Sequence, residues 1–277
     1  MKIRHATHPD DIAGFDTRAL RERFVADDLF VPGTVSTHYS HHDRMVIGGA
    51  LPRPGETLVL PSYDPLRSEY FCQRRELAVV AVGSGGTVTV DGERFELANR
   101  DVLYVGRGSR DITFTAPEGE SDAAFYLASA LAHVSLPTTL VPLAEADASR
   151  AGSTETANLR TVYKHIHAGG VPSAQLVLGI TALDPGSVWN SMPPHLHDRR
   201  TEIYLYMDLP AEARVQHVMG EPDRTRGITL ADREAVISPS WSVHFGSGTQ
   251  NYAFVWVMAG ENQEFTDMDQ VAVTELS

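Results

Sequence analysis

Residues 186–202 read GSVWNSMPPHLHDRRTE and contain the most informative pattern of the chain. His195 and His197 are separated by one residue, and Glu202 follows five positions after the second histidine. Side chains alternate between the two faces of a β-strand, so an H-x-H pair in a strand directs both rings to one side. Ligand pairs on a helix need a spacing of three or four residues instead. The spacing therefore predicts a β-strand scaffold that gathers these side chains into one site.

A third histidine, His244, completes a candidate metal site further along the chain. Three imidazoles and one carboxylate are a good ligand set for a borderline divalent cation such as Zn²⁺. The segment after the pair alternates cleanly, so that Glu202, Tyr204 and Tyr206 share one face of the predicted strand. An isolated H-x-H is more often a pair of solvated or hydrogen-bonded histidines. The added glutamate and downstream histidine favour a bound metal.

Both stretches resemble the two sequence motifs of the cupin superfamily. Residues 186–202 fit G-x₈-H-x-H-x₄-E, which is the first cupin motif with three extra residues before the histidines. Residues 239–244 resemble the second motif, P-x-G-x-x-H-x₃-N. Trp241 stands in place of its glycine, and a longer gap precedes Asn251.

Composition narrows the class of protein. The 277 residues are 42% hydrophobic, which is enough for a sizeable core in one large or two ordinary domains. A net charge of −13 disfavours nucleic acid as a partner, because phosphates need a basic face. The chain has no run of 18 apolar residues and no apolar stretch near Met1 that would serve as a signal peptide, so we expect a cytoplasmic location without membrane contact. The single cysteine, Cys72, is interpreted as a small buried hydrophobe.

The rest of the chain predicts an all-β protein with one short N-terminal helix. Residues 16–24 form an amphipathic pattern with Asp16 as N-cap and with Leu20 and Phe24 on one face. Many short strands separated by glycine-rich or Asp-Gly turns predict a barrel or jelly-roll. The predicted strands are Thr57–Leu60, Leu77–Val82, Thr87–Val90, Ala174–Leu183, Ala235–Ser238 and Tyr252–Met258.

A weak internal repeat predicts two barrels. Residues 99–111 can be aligned with residues 232–244, and this alignment places Asp111 opposite His244. Residues 74–77 echo residues 199–203, which aligns Glu76 with Glu202. The first copy lacks the H-x-H pair. We therefore predict an N-terminal barrel without metal at residues 1–145 and a C-terminal metal-binding barrel at residues 146–277.

Nearly the whole chain resembles the family of 4-deoxy-L-threo-5-hexosulose-uronate ketol-isomerases, which belongs to the cupin superfamily. The stretches that carry the resemblance are residues 39–45, 100–106, 186–202, 217–222, 235–244, 259–263 and 267–269.

The resemblance implies a bicupin fold, a hexameric assembly and a place in pectin and uronate catabolism. It also implies one Zn²⁺ per chain, held by His195, His197, Glu202 and His244. Two residues beside the pocket depart from the family pattern and bear on substrate preference. Pro194 stands where a cysteine is usual, and Phe245 stands where a serine is common.

The reaction implied by the resemblance is an aldose–ketose interconversion of a small anionic keto-deoxyuronate. A metal ion suits such a reaction because it stabilises an enediolate, and a base with a tuned pKa must carry the proton. Six residues are candidate proton carriers that the sequence does not rank: Glu202, which is also a predicted ligand, and Lys164, His165, His167, Tyr206 and Tyr252.

The substrate carboxylate calls for a guanidinium, which binds it in a bidentate manner. The candidates are Arg160, Arg199 and Arg200, although each is equally well explained as a solvated residue. A second histidine group, His38, His41 and His42, lacks a carboxylate at ligand spacing. We interpret these three as surface or interface histidines.

Two other functions fit the same ligand set. One is a metal-dependent dioxygenase, which needs a redox metal and an apolar pocket for O₂. The other is a non-enzymatic sugar-binding or storage cupin, in which the metal site is structural; an intact set of four ligands argues against it.

Overall fold

A computed structural model describes residues 1–277. β-Strands are the dominant regular structure of the chain, as the sequence predicts. The strands are β1 (Lys2–Arg4), β2 (Val25–Ala26), β3 (Thr34–Ser40), β4 (Val46–Leu51), β5 (Thr57–Val59), β6 (Arg75–Ala81), β7 (Gly86–Val90), β8 (Glu93–Leu97), β9 (Val102–Val105), β10 (Ile112–Thr115), β11 (Phe125–Leu131), β12 (Thr139–Val141), β13 (Asp147–Ala151), β14 (Arg160–Ile166), β15 (Val177–Leu183), β16 (Trp189–Asn190), β17 (His195–Leu196), β18 (Arg200–Met207), β19 (Val215–Gly220), β20 (Arg226–Leu230), β21 (Ala235–Ser238), β22 (Val243–Gly248), β23 (Ala253–Gly260) and β24 (Asp269–Gln270).

The single α-helix, α1 (Thr17–Phe24), lies where the sequence predicts it. The Asp16 side chain accepts a hydrogen bond from the amide of Ala19 at 2.8 Å, which satisfies one of the free N–H groups of the first turn. Leu20 and Phe24 are buried, as their shared face requires. Short 3₁₀ helices span Pro9–Gly14, Asp64–Leu66, Phe71–Gln73, Leu143–Glu145 and Val273–Glu275. None of the helices has the length and apolar character needed to cross a membrane.

The chain folds into two compact units. The first comprises Met1–Arg4, Asp28–Ala146 and His165–Val177, and the second comprises His5–Asp27, Asp147–Lys164 and Leu178–Ser277. The predicted boundary after residue 145 lies beside the division between residues 146 and 147. Residues 5–27 and 165–177, however, belong to the opposite unit from the one that a single cut gives them. The division into two functional barrels stays a prediction.

Each unit contains a seven-stranded and a four-stranded sheet, and the inner strands follow the same order in both units. The sheets of the first unit run β1-β3-β4-β11-β6-β9-β12 and β5-β10-β7-β8. Those of the second run β13-β14-β15-β23-β18-β21-β2 and β16-β22-β19-β20, with a small β17-β24 sheet beside them. These sheet pairs are of the jelly-roll type and confirm the predicted bicupin architecture, although the sheets stay open instead of closing into barrels. The first unit encloses an apolar core that includes Cys72, buried as predicted.

The pairing register corrects the predicted alignment of the two halves. Strands β6 and β18 occupy equivalent places in their sheets. Arg75 opposes the last residue of β11, just as Arg200 opposes the last residue of β23. Arg75 therefore corresponds to Arg200. Counting two residues on from each arginine, Leu77 and not Glu76 corresponds to Glu202. The predicted alignment is wrong by one residue, and in a strand such a shift moves the side chain to the opposite face.

Glu76 instead anchors a loop within the first unit. Its buried carboxylate accepts hydrogen bonds from the Tyr104 hydroxyl at 2.7 Å and from the three amides of residues 174–176 at 2.6, 2.7 and 2.8 Å. The strand predicted at Ala174–Leu183 therefore begins only at Val177, because those three amides bond to a side chain instead of a neighbouring strand.

His38 is a buried residue, so its interpretation as a surface histidine is wrong. Its side chain is 1% exposed. Its Nε2 lies 2.7 Å from Oδ1 of Asp28, and its Nδ1 accepts a hydrogen bond from Nε of Arg4 at 3.0 Å. Both ring nitrogens have partners, so burial of the imidazole leaves no unsatisfied polar atom.

Candidate metal centre

The four predicted ligands meet in the second unit. His195 lies on β17 and His197 follows it directly, while Glu202 lies on β18 and His244 on β22. The nearest ligand atoms of all four side chains are within 4.8 Å of one another. Oε2 of Glu202 lies 2.9 Å from Nε2 of His197 and 2.7 Å from Nε2 of His244. The rings of His195 and His197 have centroids 4.9 Å apart. The cluster could hold one metal ion.

The opposite ring nitrogens are bound to the backbone. Nδ1 of His197 donates to the carbonyl of Asp267 at 2.8 Å, and Nδ1 of His244 donates to the carbonyl of Ser242 at 3.2 Å. A proton on Nδ1 leaves the lone pair of Nε2 directed into the cluster, which is how metal-binding histidines are usually oriented. Buried polar atoms normally have hydrogen-bond partners, yet Nε2 of His244 makes no well-aligned hydrogen bond. The residues present thus fit a divalent cation.

The electrostatics of the cluster favour a cation as well. Burial alone would raise the pKa of Glu202, but His244 and His197 outweigh that effect and hold its pKa well below the usual range. Burial, together with the neighbouring His244, lowers the pKa of His195 to about 3. An anionic Glu202 and a neutral His195 are the protonation states that metal coordination requires of these two residues.

A cavity of about 270 Å³ opens from the cluster. Three of the ligands form part of its wall, and most of the remaining wall is apolar. Its other lining residues are Ser149, Ala151, Arg160, Val162, Thr181, Ser191, Met192, Pro193, Tyr204, Phe254, Trp256, Met258, Phe265, Met268 and Gln270. The volume suits a small ligand, and the few polar groups are placed to orient it.

Of the three candidate arginines, only Arg160 lines this cavity. Its guanidinium donates to the backbone carbonyls of Asn158 at 2.9 Å and Met192 at 3.3 Å. Burial lowers its pKa, but a guanidinium remains charged in proteins. It therefore offers a cation, held by neutral partners, to the cavity.

The other two arginines are engaged elsewhere in the second unit. Nη2 of Arg199 lies 2.6 Å from the carboxylate of Asp267 and 2.9 Å from that of Asp269. Arg200 is 1% exposed and donates through Nη2 to the carbonyl of Asp267 at 2.7 Å. Neither side chain is among those that line the cavity.

Among the candidate proton carriers, Glu202 alone lines the cavity. Lys164 is paired with Asp147 at 2.6 Å. The hydroxyl of Tyr206 lies 2.9 Å from Nδ1 of His217. The remaining candidates lie outside the cavity wall as well: Tyr252, whose hydroxyl donates to Asn190 at 2.5 Å, and His165 and His167, which belong to the first unit.

Sequence reasoning gave no functional role to Tyr204 and Ser191, two polar residues of the cavity wall. The Tyr204 hydroxyl lies 2.6 Å from Oγ of Ser191, and the Tyr204 ring meets that of His244 edge-on at 5.5 Å. Burial, and next the charge of Glu202, raise the pKa of Tyr204 well above its ordinary value, so the phenol keeps its proton. The two-residue spacing from Glu202 to Tyr204 was a usable signal. Nothing local marks Ser191.

Two jelly-roll sheet pairs with a three-histidine, one-glutamate cluster in one of them define a cupin-type protein with a candidate metal centre. More narrowly, the chain belongs to the KduI/IolB family, whose profile matches residues 60–275. The chain is 48% identical over its full length, and over the full length of the relative, to a protein of Shouchella clausii (strain KSM-K16) named 4-deoxy-L-threo-5-hexosulose-uronate ketol-isomerase. A protein of the same name from Bacillus pumilus (strain SAFR-032) is 50% identical, again with both chains covered completely.

Solved structures agree on the fold. An IolB-like protein from Salmonella typhimurium LT2 superposes with a TM-score of 0.69 at 18% identity, covering 82% of this chain and 87% of that one. Oxalate decarboxylase of Bacillus subtilis, described with Mn(II) centres, superposes with a TM-score of 0.55 at 11% identity, covering 83% and 71%. At these identities the likeness concerns the fold alone.

Proposed function

We propose that this protein is a zinc-dependent ketol-isomerase that converts 4-deoxy-L-threo-5-hexosulose uronate to 3-deoxy-D-glycero-2,5-hexodiulosonate. The observation that carries the proposal is a cavity of about 270 Å³ whose wall contains ligands of the buried cluster and one guanidinium, that of Arg160. The names of the full-length relatives support the same reaction.

His195, His197, Glu202 and His244 would hold the metal, one ion per chain. Three imidazoles and a carboxylate suit Zn²⁺. When bound, the ion supplies a Lewis acid that stabilises negative charge on the adjacent carbonyl and hydroxyl oxygens of a sugar. The chain itself contributes the orientation of the rings, through the backbone carbonyls that bind Nδ1 of His197 and His244.

The rest of the cavity serves binding and proton transfer. Arg160 binds the substrate carboxylate, because its guanidinium has only backbone carbonyls as partners. Phe254, Trp256 and Phe265 exclude water from the reacting carbons. Tyr204 donates a hydrogen bond from its protonated hydroxyl to a substrate oxygen that gains negative charge.

Glu202 is the candidate proton carrier that lines the cavity. Its lowered pKa keeps the carboxylate ionised, although it also makes Glu202 a weaker base. Lys164, Tyr206 and Tyr252 rank below it because their polar atoms are bound to other side chains. Arg199 and Arg200 rank below Arg160 as carboxylate binders because neither lines the cavity.

The family relationship extends the proposal beyond the site. We infer a role in pectin and uronate catabolism, a cytoplasmic location and a hexameric assembly. The N-terminal half, residues 1–145, would be a barrel without metal, since Leu77 stands at the counterpart of Glu202 in an apolar core. Residues 146–277 would be the metal-binding barrel.

The test supplies the zinc-loaded protein with the unsaturated uronate released by a pectin lyase, which opens spontaneously to the 5-keto substrate. We expect the 2,5-diketo product by NMR, without O₂, nicotinamide or phosphate. In D₂O, an enediol route leaves solvent deuterium at C1 of the product, whereas a hydride shift leaves none. Consumption of O₂ would indicate a dioxygenase instead, and an unchanged substrate with the metal fully loaded would indicate a binding protein.

A further inference from the structure

One segment of the second unit takes part in both the cavity and the metal cluster. Residues 261–268, here called the closing segment, connect β23 to β24. Its side chains Phe265 and Met268 line the cavity. The Phe265 ring packs against Trp256 with centroids 5.4 Å apart. On the opposite side, the Lys164 ammonium lies 5.5 Å from the centre of the same ring.

The backbone of the closing segment contacts the cluster directly. The carbonyl oxygen of Asp267 accepts hydrogen bonds from Nδ1 of His197 at 2.8 Å and from Nη2 of Arg200 at 2.7 Å. His197 is separated from Asp267 by 70 positions in the chain. The orientation of one predicted ligand ring therefore depends on where this segment lies.

The side chain of Asp267 is what holds the segment there. Nε of Arg199 donates to both oxygens of Asp267 at 2.8 and 2.9 Å, and the amide of Asn262 donates to the same carboxylate at 2.5 Å. Nη2 of Arg199 also donates to Asp269 at 2.9 Å, on the strand that ends the segment. Arg199 lies two residues after His197, so it joins the ligand-bearing turn to the closing segment.

We propose that the Arg199–Asp267 ion pair is a positioning element that couples metal affinity to substrate binding. By holding the closing segment, it keeps the Asp267 carbonyl against His197 and Phe265 in the cavity wall. Arg199 and Asp267 are positioning residues, since neither lines the cavity. The coupling to substrate rests on the proposed isomerase function, whereas the effect on the metal does not.

A partly exposed ion pair by itself contributes little to folding stability, and here Arg199 is 35% exposed and Asp267 15%. Its effect should therefore appear in the zinc affinity of the site and not in the unfolding midpoint of the metal-free protein. Outer groups that orient metal-binding histidines typically change metal affinity by about 10- to 100-fold when removed. The ion pair acts on the His197 ring only through the backbone of Asp267. We therefore expect the lower end of that range, a loss of about tenfold in zinc affinity.

The experiment measures the Zn²⁺ dissociation constant by chelator competition for the full chain and for Arg199→Gln, Asp267→Asn and the double variant. We expect each single variant to weaken Zn²⁺ binding about tenfold, and the double variant to be no weaker than either, because both changes break the same pair. Arg199→Lys, which keeps the charge but not the fork of donors, should be intermediate.

A matched control is Asp184→Asn, which breaks the comparable two-point pair between Arg150 and Asp184 in the same unit. It should leave zinc affinity and KM unchanged. Phe265→Ala should raise KM at unchanged zinc affinity, because it alters only the cavity wall. Arg199→Gln should raise KM and weaken zinc binding, whereas kcat at saturating zinc and substrate should stay nearly unchanged.

Zinc affinity in Arg199→Gln and Asp267→Asn equal to that of the Asp184→Asn control would overturn the proposal. So would additive losses in the double variant, which would indicate two unrelated effects. A chain without isomerase activity would refute the proposed function alone, because the zinc titration would still report on the ion pair. Conversely, an active enzyme with unchanged zinc affinity in these variants refutes only the positioning role.

Discussion

Replacing His195 with alanine is the cleanest perturbation of the metal cluster. The residue lies in the two-residue strand β17, and its side chain is only partly buried. Its Nδ1 makes no hydrogen bond shorter than the 3.5 Å contact with the carbonyl of Pro193. The short contacts of Glu202 with His197 and His244 do not involve it. The variant should therefore fold normally and lose one ligand.

The expected size follows from the number of ligands. Zinc held by four protein ligands in small structural sites is bound with roughly 10–16 kcal/mol, or about 3–4 kcal/mol for each ligand. At 1.4 kcal/mol per tenfold change, the loss of one imidazole should weaken zinc binding by about 10²- to 10³-fold.

The same change should appear as a lost thermal shift. Zinc at about 100 times its dissociation constant stabilises the folded state by roughly 2.7 kcal/mol, which raises Tm by about 5–10 °C at 2–4 °C per kcal/mol. For His195→Ala with an affinity about 100-fold lower, the same zinc concentration adds only about 0.4 kcal/mol, or about 1 °C. The metal-free forms of the two proteins should melt within about 2 °C of each other.

The assay combines metal analysis of the dialysed proteins with melting curves in zinc and in chelator. Wild-type protein should retain one equivalent of metal per chain, and His195→Ala close to none. Undiminished zinc affinity in the variant would refute the assignment of His195 as a ligand. Two tightly bound equivalents in the wild-type protein would contradict the single-site proposal.

Three further predictions concern the cavity and the first unit. Arg160→Gln should raise KM by about 10- to 100-fold with little effect on kcat, since a charge-assisted hydrogen bond contributes about 1.5–3 kcal/mol. Arg150→Gln is the control. An unchanged KM in Arg160→Gln would exclude the proposed binding of the substrate carboxylate by Arg160. Tyr204→Phe should lower kcat about 10²-fold at unchanged zinc content, and full activity would show that its hydroxyl does not contact the reacting oxygens. Burial, with the nearby charge of Arg4, lowers the pKa of His38 from 6.5 to about 4. In the unfolded chain His38 binds a proton near pH 6.5, whereas in the folded protein it does so only near pH 4. Urea denaturation should therefore show the free energy of unfolding falling by up to about 3 kcal/mol as the pH drops from 6.5 to 4. A free energy of unfolding that does not change in that window would contradict this.

Sequence alone was enough to identify the fold class, helix α1 and the four clustered residues. The reason is that each signal is local. The H-x-H spacing and the alternation after it follow from the geometry of one strand, and the Asp16 cap follows from one helical turn. His244 was found at a distance only because its own surroundings resemble a known motif.

Tertiary structure decided everything that depends on which distant segments meet. Three arginines looked alike in sequence, and only the fold shows Arg160 at the cavity and Arg199 paired with Asp267. The same holds for Glu76, whose apparent match to Glu202 fails by one residue in the strand register. A register and a hydrogen bond across 70 residues are set by packing and pairing between strands, and local patterns do not contain that information.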